Sequence, residues 1–148
     1  MAAHNDLGRW GEHVAAEYLK SKGWYIRHTD WRYKHYDIDI VAIDEDRTQL
    51  LIVEVKTRTS GMWGEPDMAI DLEKQNNIIR STAAYQRAQR LEHLDVRYDT
   101  ISIIGTPTLP PDQISIVHKE GAFDITASFY YKEQLRKRAY YQHRAGQW

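Results

Sequence analysis

The sequence predicts an α/β domain whose elements run α-β-β-β-α-β, followed by a short strand and a tail. Three observations predict it. Leu7, Trp10, Val14 and Tyr18 recur at helical spacing. Two runs dense in Ile and Val, 37–43 and 50–57, have the length and composition of buried strands. The 148 residues, 42% hydrophobic and 28% charged, suffice for one compact core.

The elements follow in order. The first helix covers 4–22, with Gly11 and Ala15 on its apolar side, and stops at Gly23, a residue suited to a helix C-terminus. Residues 24–28 read as a short strand, 37–43 as the second and 50–57 as the third, with a turn inside 44–49. Ser60-Gly61, Gly64 and Pro66 mark 58–66 as a loop. A second helix fits 72–90, with Asp71 as its N-cap. A fourth strand covers 96–104, the Pro107, Pro110, Pro111 segment connects, 114–118 is a fifth strand, and 130–143 a last helix. No internal repeat or low-complexity tract interrupts the chain.

Charge and composition exclude several function classes. Lys and Arg number 20 against 21 Asp and Glu, a net charge of -1, which rules out a strongly basic coat protein but not a local basic groove. The charge is uneven. Lys132, Arg136, Lys137, Arg138 and Arg144 against Glu133 give residues 125–148 a net +4, so the remainder carries -5. There is no cysteine, hence no disulfide, thiolate metal site or cysteine nucleophile. No apolar run approaches the roughly 20 residues that cross a bilayer. The N-terminus lacks the basic start and apolar stretch of a secretory signal. A soluble cytoplasmic protein is expected, with no membrane attachment. None of the seven histidines pairs at metal-ligand spacing, so zinc is not expected and the histidines read as surface residues. Gly8 and Gly11 do not make a phosphate loop, since no strand precedes them and no Lys-Ser/Thr follows. No serine-nucleophile motif occurs.

The chemistry concentrates on the second and third strands. Alternation puts Asp37 and Asp39 on one face, and Glu54 and Lys56 on one face. A turn centred between Asp46 and Arg47 sets Asp39 opposite Glu54 and Asp37 opposite Lys56, unless a bulge shifts the register. Opposed residues have Cβ atoms about 4.5–5.5 Å apart. Two opposed carboxylates repel unless they share a proton or bind a cation. Their separation suits one hard divalent ion. A lysine beside such an ion orients or deprotonates a water, and the ion stabilises charge on a phosphoryl oxygen. The trio therefore favours metal-assisted phosphodiester hydrolysis. A purely structural cluster, with Lys56 pairing Asp37 and Glu54, fits the spacing equally well. Glu12 is a third acid. It lies off the polar face of Arg9, His13, Glu17 and Lys20, with Ala15, Ala16 and Leu19 on its own side. It either points into a cleft or snorkels to water, and the residue pattern alone favours the second.

These residues resemble the PD-(D/E)XK nuclease superfamily: Asp39, then Glu54-Val55-Lys56, on an α-β-β-β-α-β order. The sequence is more specifically similar to the YraN-type family of small bacterial proteins. The shared patterns are Gly8-Arg9-Trp10-Gly11-Glu12, Asp37-Ile38-Asp39-Ile40-Val41-Ala42 and Val53-Glu54-Val55-Lys56-Thr57-Arg58. Trp63-Gly64-Glu65-Pro66, Lys74 and Arg97-Tyr98-Asp99 also match, so agreement runs from about Leu7 to Asp124. Asp37 stands where the family usually has glutamate, and the tail after Asp124 is an extension.

The resemblance implies a restriction-endonuclease-like core, a mixed sheet flanked by helices as in archaeal Holliday-junction resolvases. It divides the chain into a nuclease-like domain, 1–124, and a basic, aromatic extension, 125–148. It implies that Asp39 and Glu54 bind Mg²⁺ or Mn²⁺ with the Val55 carbonyl, that Lys56 positions the attacking water, and that Glu12 binds the ion through water or a second ion. Arg58 and Lys74 would contact phosphates without reading sequence, the alternative for each being a solvated cation. A homodimer is implied as well. The function that follows is a metal-dependent endonuclease acting on DNA, branched or damaged DNA included. The alternative is a nuclease-fold module that binds nucleic acid or protein with little or no turnover, which the near-neutral charge and the lack of a long basic stripe support.

The extension mixes its cations with Tyr130, Tyr131, Tyr140, Tyr141 and Trp148. Cations hold phosphates and aromatics stack on bases. Packing on the domain or burial in a dimer is equally compatible. Trp24, Trp31 and Trp63 are assigned to core or loop packing rather than to base platforms.

Overall fold

The computed structural model describes residues 2–60 and 70–146, with side chains from Asp6 onward. The Trp63-Gly64-Glu65-Pro66 motif, most of the loop expected at 58–66, and Trp148 lie outside the described residues. The elements are α1 (Ala2–Ser21), β1 (Tyr25–Tyr33), β2 (Tyr36–Ile43), β3 (Gln49–Arg58), α2 (Leu72–Gln89), β4 (Asp95–Ile104), β5 (Ser115–Phe123) and α3 (Thr126–Ala145). One sheet runs β1-β2-β3-β4-β5. Its first three strands and its last pair are antiparallel, whereas β3 and β4 run parallel. A parallel pair needs a crossover, and α2 supplies it. The sheet is therefore mixed and flanked by helices, as expected.

Each face of the sheet buries one cluster. Ile40, Ala42, Leu51, Val53, Ile101 and Ile103 pack under α1. On the opposite face Val41, Ile43, Leu50, Ile52 and Tyr98 pack with Ile78 and Tyr85 of α2. Two-sided burial explains the near-continuous apolar runs of β2 and β3. The core of α1 is Ala15, Ala16 and Leu19, while Trp10, Val14 and Tyr18 flank it only partly buried. This rotates the helix from the stripe read off its large residues. The reason is close approach: a Cβ on Gly11 would overlap the Thr57 side chain of β3. Gly11→Ala is accordingly expected to cost about 1–3 kcal/mol, the usual range for overpacking. Thermal melts would measure it, and an unchanged Tm would mean that α1 can slide. At its other end α1 closes on Gly23, at φ 94°, with Trp24 N–H donating to Leu19 O at 3.1 Å and Gly23 N–H to Lys20 O at 3.0 Å. Asp71 caps α2 by accepting from Lys74 N–H at 2.8 Å.

Three elements are longer than expected. β1 continues to Tyr33 and β5 to Phe123, both edge strands whose polar, exposed residues hide the apolar alternation. α3 begins at Thr126, where Asp124 accepts from the Thr126 N–H at 2.8 Å.

Two histidines correct the surface reading. His28 bonds the Tyr85 hydroxyl at 2.6 Å. His118, with 10% of its side chain exposed, places Nε2 2.7 Å from Asp99 Oδ2 and Nδ1 3.1 Å from the Tyr18 hydroxyl. Asp99 is 1% exposed and also accepts from Arg97 through Nε and Nη2, both at 2.9 Å, and from Gly121 N–H at 3.0 Å. A carboxylate only accepts, so His118 Nε2 donates to it and a neutral ring takes the Tyr18 O–H at Nδ1. Asp99 thus ties α1, β4 and β5 together. Trp24 and Trp31 are packing residues, Trp24 under Arg97 and Trp31 edge-on to Tyr85.

Candidate functional site

The β2–β3 hairpin has the register predicted from its turn: Ile43 faces Leu50, Ala42 Leu51, Val41 Ile52 and Ile40 Val53. The described ladder then ends, just before the acids. Asp39 does not complete a further rung. Its Oδ2 accepts the Val55 N–H at 2.8 Å, which draws the carboxylate against the β3 backbone beside Glu54. Asp37 does not face Lys56. It pairs across the other edge with Arg32 of β1, Nε to Oδ1 at 3.0 Å. The ladder stops too early to hold the expected 37–56 pair, and the guanidinium of Arg32 is the nearer cation.

Glu54 is 6% exposed and meets two ammonium groups. Lys74, from the first turn of α2, reaches Glu54 Oε1 at 2.5 Å, and Lys56 lies 3.6 Å from the same oxygen. Lys74, though 46% exposed, is thus an ion-pair partner of Glu54. Burial alone would lower its pKa, but the Glu54 contact outweighs that and holds the ammonium above its usual value.

On the other side stand three acids. Glu12, Asp30 and Asp39 each offer an oxygen within 4.8 Å of the others. Glu12 does not snorkel: because α1 buries Ala15, Ala16 and Leu19, its shoulder turns toward the sheet. Burial, followed by the hydrogen bond and charge of Asp30 and the charges of Glu54 and Asp37, pushes the Glu12 carboxyl up to about 8. Burial and the charge of Glu54 push Asp39 well above the carboxylate range, against the lowering effect of the Val55 N–H. Acids held this close favour a cation or a shared proton.

Asp30 is the residue that the sequence reading missed. It sits within β1 in the left-handed region, φ 49°, at a position that ordinary strand residues avoid. Register carries the signal that could have found it. Thr29 faces Ile40 and Trp31 faces Ile38, so Asp30 and Asp39 are bracketed together once β1 is read as a full strand.

A cavity of about 380 Å³ opens on the α2 side, lined by Asp37, Asp39, Glu54, Asp71, Lys74 and Asn77, among others. Further along β3, Arg58 lies two positions past Lys56 on the same face. Its Nη1 and Nη2 are buried and have no hydrogen-bond partner among the described residues. The expected site residues thus fall into one neighbourhood. Glu12, Asp39, Glu54, Val55 and Lys74 converge on the open end of the hairpin, with Lys56 beside them and Arg58 next along the strand.

A mixed sheet between two helices, with acids and a Glu-x-Lys strand at the open end of its central hairpin, defines a restriction-endonuclease-like α/β domain. Residues 11–103 match the profile described as "Uncharacterised protein family UPF0102". The chain belongs to that family, the YraN-type family of the resemblance. A "UPF0102 protein" of Bacteroides thetaiotaomicron is 43% identical over 105 residues, covering 71% of this chain and 84% of the relative. One from Phocaeicola vulgatus is 42% identical over 123 residues, covering 83% and 96%. One from Porphyromonas gingivalis is 37% identical over 125 residues, covering 84% and 89%. Among the described residues no helix is long and apolar enough to cross a membrane.

Proposed function

We propose that the protein is a metal-dependent endonuclease that hydrolyses phosphodiester bonds of DNA, branched or damaged DNA included. One observation carries the reading: Glu12, Asp30 and Asp39 gather within 4.8 Å at the end of the ladder where Glu54 and Lys56 begin. All-oxygen donors suit Mg²⁺ or Mn²⁺. Asp39 and Glu54 would hold the ion. Val55 would add its carbonyl, which faces the same strand edge as the N–H that Asp39 accepts. Glu12 would bind through water or at a second ion, with Asp30 beside it. Such an ion supplies Lewis acidity and lowers the pKa of a bound water.

The remaining steps belong to the chain. Lys56 orients the attacking water from its place beside Glu54. Arg58 would hold a phosphate, since its buried Nη1 and Nη2 have no hydrogen-bond partner among the described residues and an anionic oxygen would satisfy them. Lys74 neutralises Glu54 and competes with a cation for it. Lys74→Met is therefore expected to tighten Mn²⁺ binding three- to tenfold, the equivalent of ~1 kcal/mol, while weakening DNA binding. Weaker Mn²⁺ binding in a folded variant would show that Lys74 organises Glu54 instead.

The reading extends to a cytoplasmic homodimer, a state that sedimentation measures, and to a nuclease-like body at 1–124 with an added segment at 125–148. The test is cleavage of structured DNA with Mn²⁺ by purified protein. Glu54→Ala and Lys56→Ala should each abolish it, with circular dichroism unchanged. DNA that is bound but never cut, equally well by wild type and Asp39→Asn, would replace the enzyme with a binding module.

A further inference from the structure

We propose that the outer part of α3 is a nucleic-acid-gripping arm, contacting phosphates with its cations and unpaired bases with its rings. The proposal rests on the reading above for the identity of the polymer, and it adds a second, separate contact surface.

The arm lies outside the family's shared core: the matched profile ends at residue 103, and α3 spans Thr126–Ala145. Its first turns are docked. Ala127 is buried, and Ser128, Tyr131 and Leu135 adjoin Asn76, Ile79 and Ala83 of α2. From residue 134 to 146 every position is exposed. That stretch extends ~20 Å beyond its last partly buried residue. A helix so short gains little from its own propensity, so exposure on all sides is unusual unless something covers it.

The surface chemistry identifies what covers it. α3 carries five cations, Lys132, Arg136, Lys137, Arg138 and Arg144, against one acid, Glu133. Tyr140 and Tyr141 are 56% and 68% exposed. Arg136, Tyr140 and Arg144 follow at four-residue steps, as do Lys137 and Tyr141, so cations and rings share a face. Arg144 donates to the Tyr140 hydroxyl at 2.7 Å and lies 5.5 Å from its ring centre, which holds the tyrosine outward. A membrane-surface helix would segregate apolar from basic residues, and this one interleaves them. Two copies of α3 packed on each other would set cations against cations. A polyanion with stackable faces meets both residue types at once.

Placement links the arm to the cleft. α2 turns Lys74, Asn77 and Ile78 toward the acidic cavity and Asn76, Ile79 and Ala83 toward α3. A strand leaving the cavity can thus cross one helix to reach the arm.

The test uses the full chain and two variants, Arg136→Gln/Lys137→Gln/Arg138→Gln and Tyr140→Ala/Tyr141→Ala. Fluorescent single-stranded, duplex and branched DNA are titrated across salt concentrations. The first variant should lower the slope of log affinity on log salt by about 2, as the loss of three phosphate contacts on a single strand would. The second should weaken single-strand binding at least fivefold. Both should keep wild-type Mn²⁺ binding, which judges the cleft separately. Unchanged affinity and slope would overturn the arm and leave the nuclease reading standing. So would binding of anionic vesicles without DNA binding, or variants that turn a dimer into monomers with DNA affinity intact. Loss of DNA binding in the variants of a protein that cuts nothing would keep the arm and remove the nuclease.

Discussion

Asp39→Ala is expected to abolish Mn²⁺ binding in titration calorimetry and, in the same protein, to raise Tm. Both results follow from one geometry. Asp39 stands between Glu12 and Asp30 on one side and Glu54 on the other. Its carboxyl is raised by burial and by the charges of Glu54 and Glu12. A group whose folded pKa is raised stabilises the fold at low pH, and that contribution is lost as pH rises through the folded value. At neutral pH the acid is therefore a burden on the fold unless a cation offsets it. Removing it should add about 1 kcal/mol, or about 2–4 °C in Tm. The Val55 N–H would lose its acceptor, which limits the gain. Wild type, by contrast, should gain Tm as Mn²⁺ is added, and the variant should not. A variant that binds Mn²⁺ as tightly as wild type would remove Asp39 from the site.

The second large effect concerns the fold alone. Asp99→Ala should destabilise the protein by about 3–5 kcal/mol in urea unfolding, since it takes the buried acceptor away from the Arg97 guanidinium and from the His118 ring. Arg97 would keep only Glu120, at 3.7 Å, among its described acidic neighbours, and His118 Nε2 would lose its acceptor. Burial opposes the charge of Asp99, but the bonds from His118, Arg97 and Gly121 prevail and hold its carboxyl below the usual value. The sign is opposite to that of Asp39. The contribution is present above the unfolded value of about 3.9 and is lost as pH falls through the folded one. Wild type should thus lose stability steeply in acid, and Asp99→Ala should show a flatter acid limb. Equal acid sensitivity in the two proteins would assign the loss to other carboxylates.

The central hairpin was legible because apolar content, alternation and turn position all agree there, so that pairing through Ile40 and Val53 follows from the residues. What failed lies where local pattern stops deciding. The full length of β1 is masked by Arg27, Thr29, Asp30 and Arg32, polar because the strand is an exposed edge. With β1 cut short, Asp30 could not be placed beside Asp39, and Asp37 was given to Lys56 rather than to Arg32. The rotation of α1 depends on the space that Gly11 leaves above Thr57, a tertiary fit that no helical wheel records. His118 looked like a surface residue because its acceptor is 19 positions away on a neighbouring strand.

One consequence concerns how the family can change. The rungs that knit β2 to β3, at 40–43 and 50–53, do not include the acids beyond them. Within the β2–β3 pairing, the rungs and the proposed site therefore occupy separate stretches, while Glu54 and Lys56 stay paired to β4 at Thr100 and Ser102. A lineage can vary the acids beyond those rungs and keep the β2–β3 pairing, so a well-folded preparation is no testimony that a given member binds a metal ion or cuts DNA.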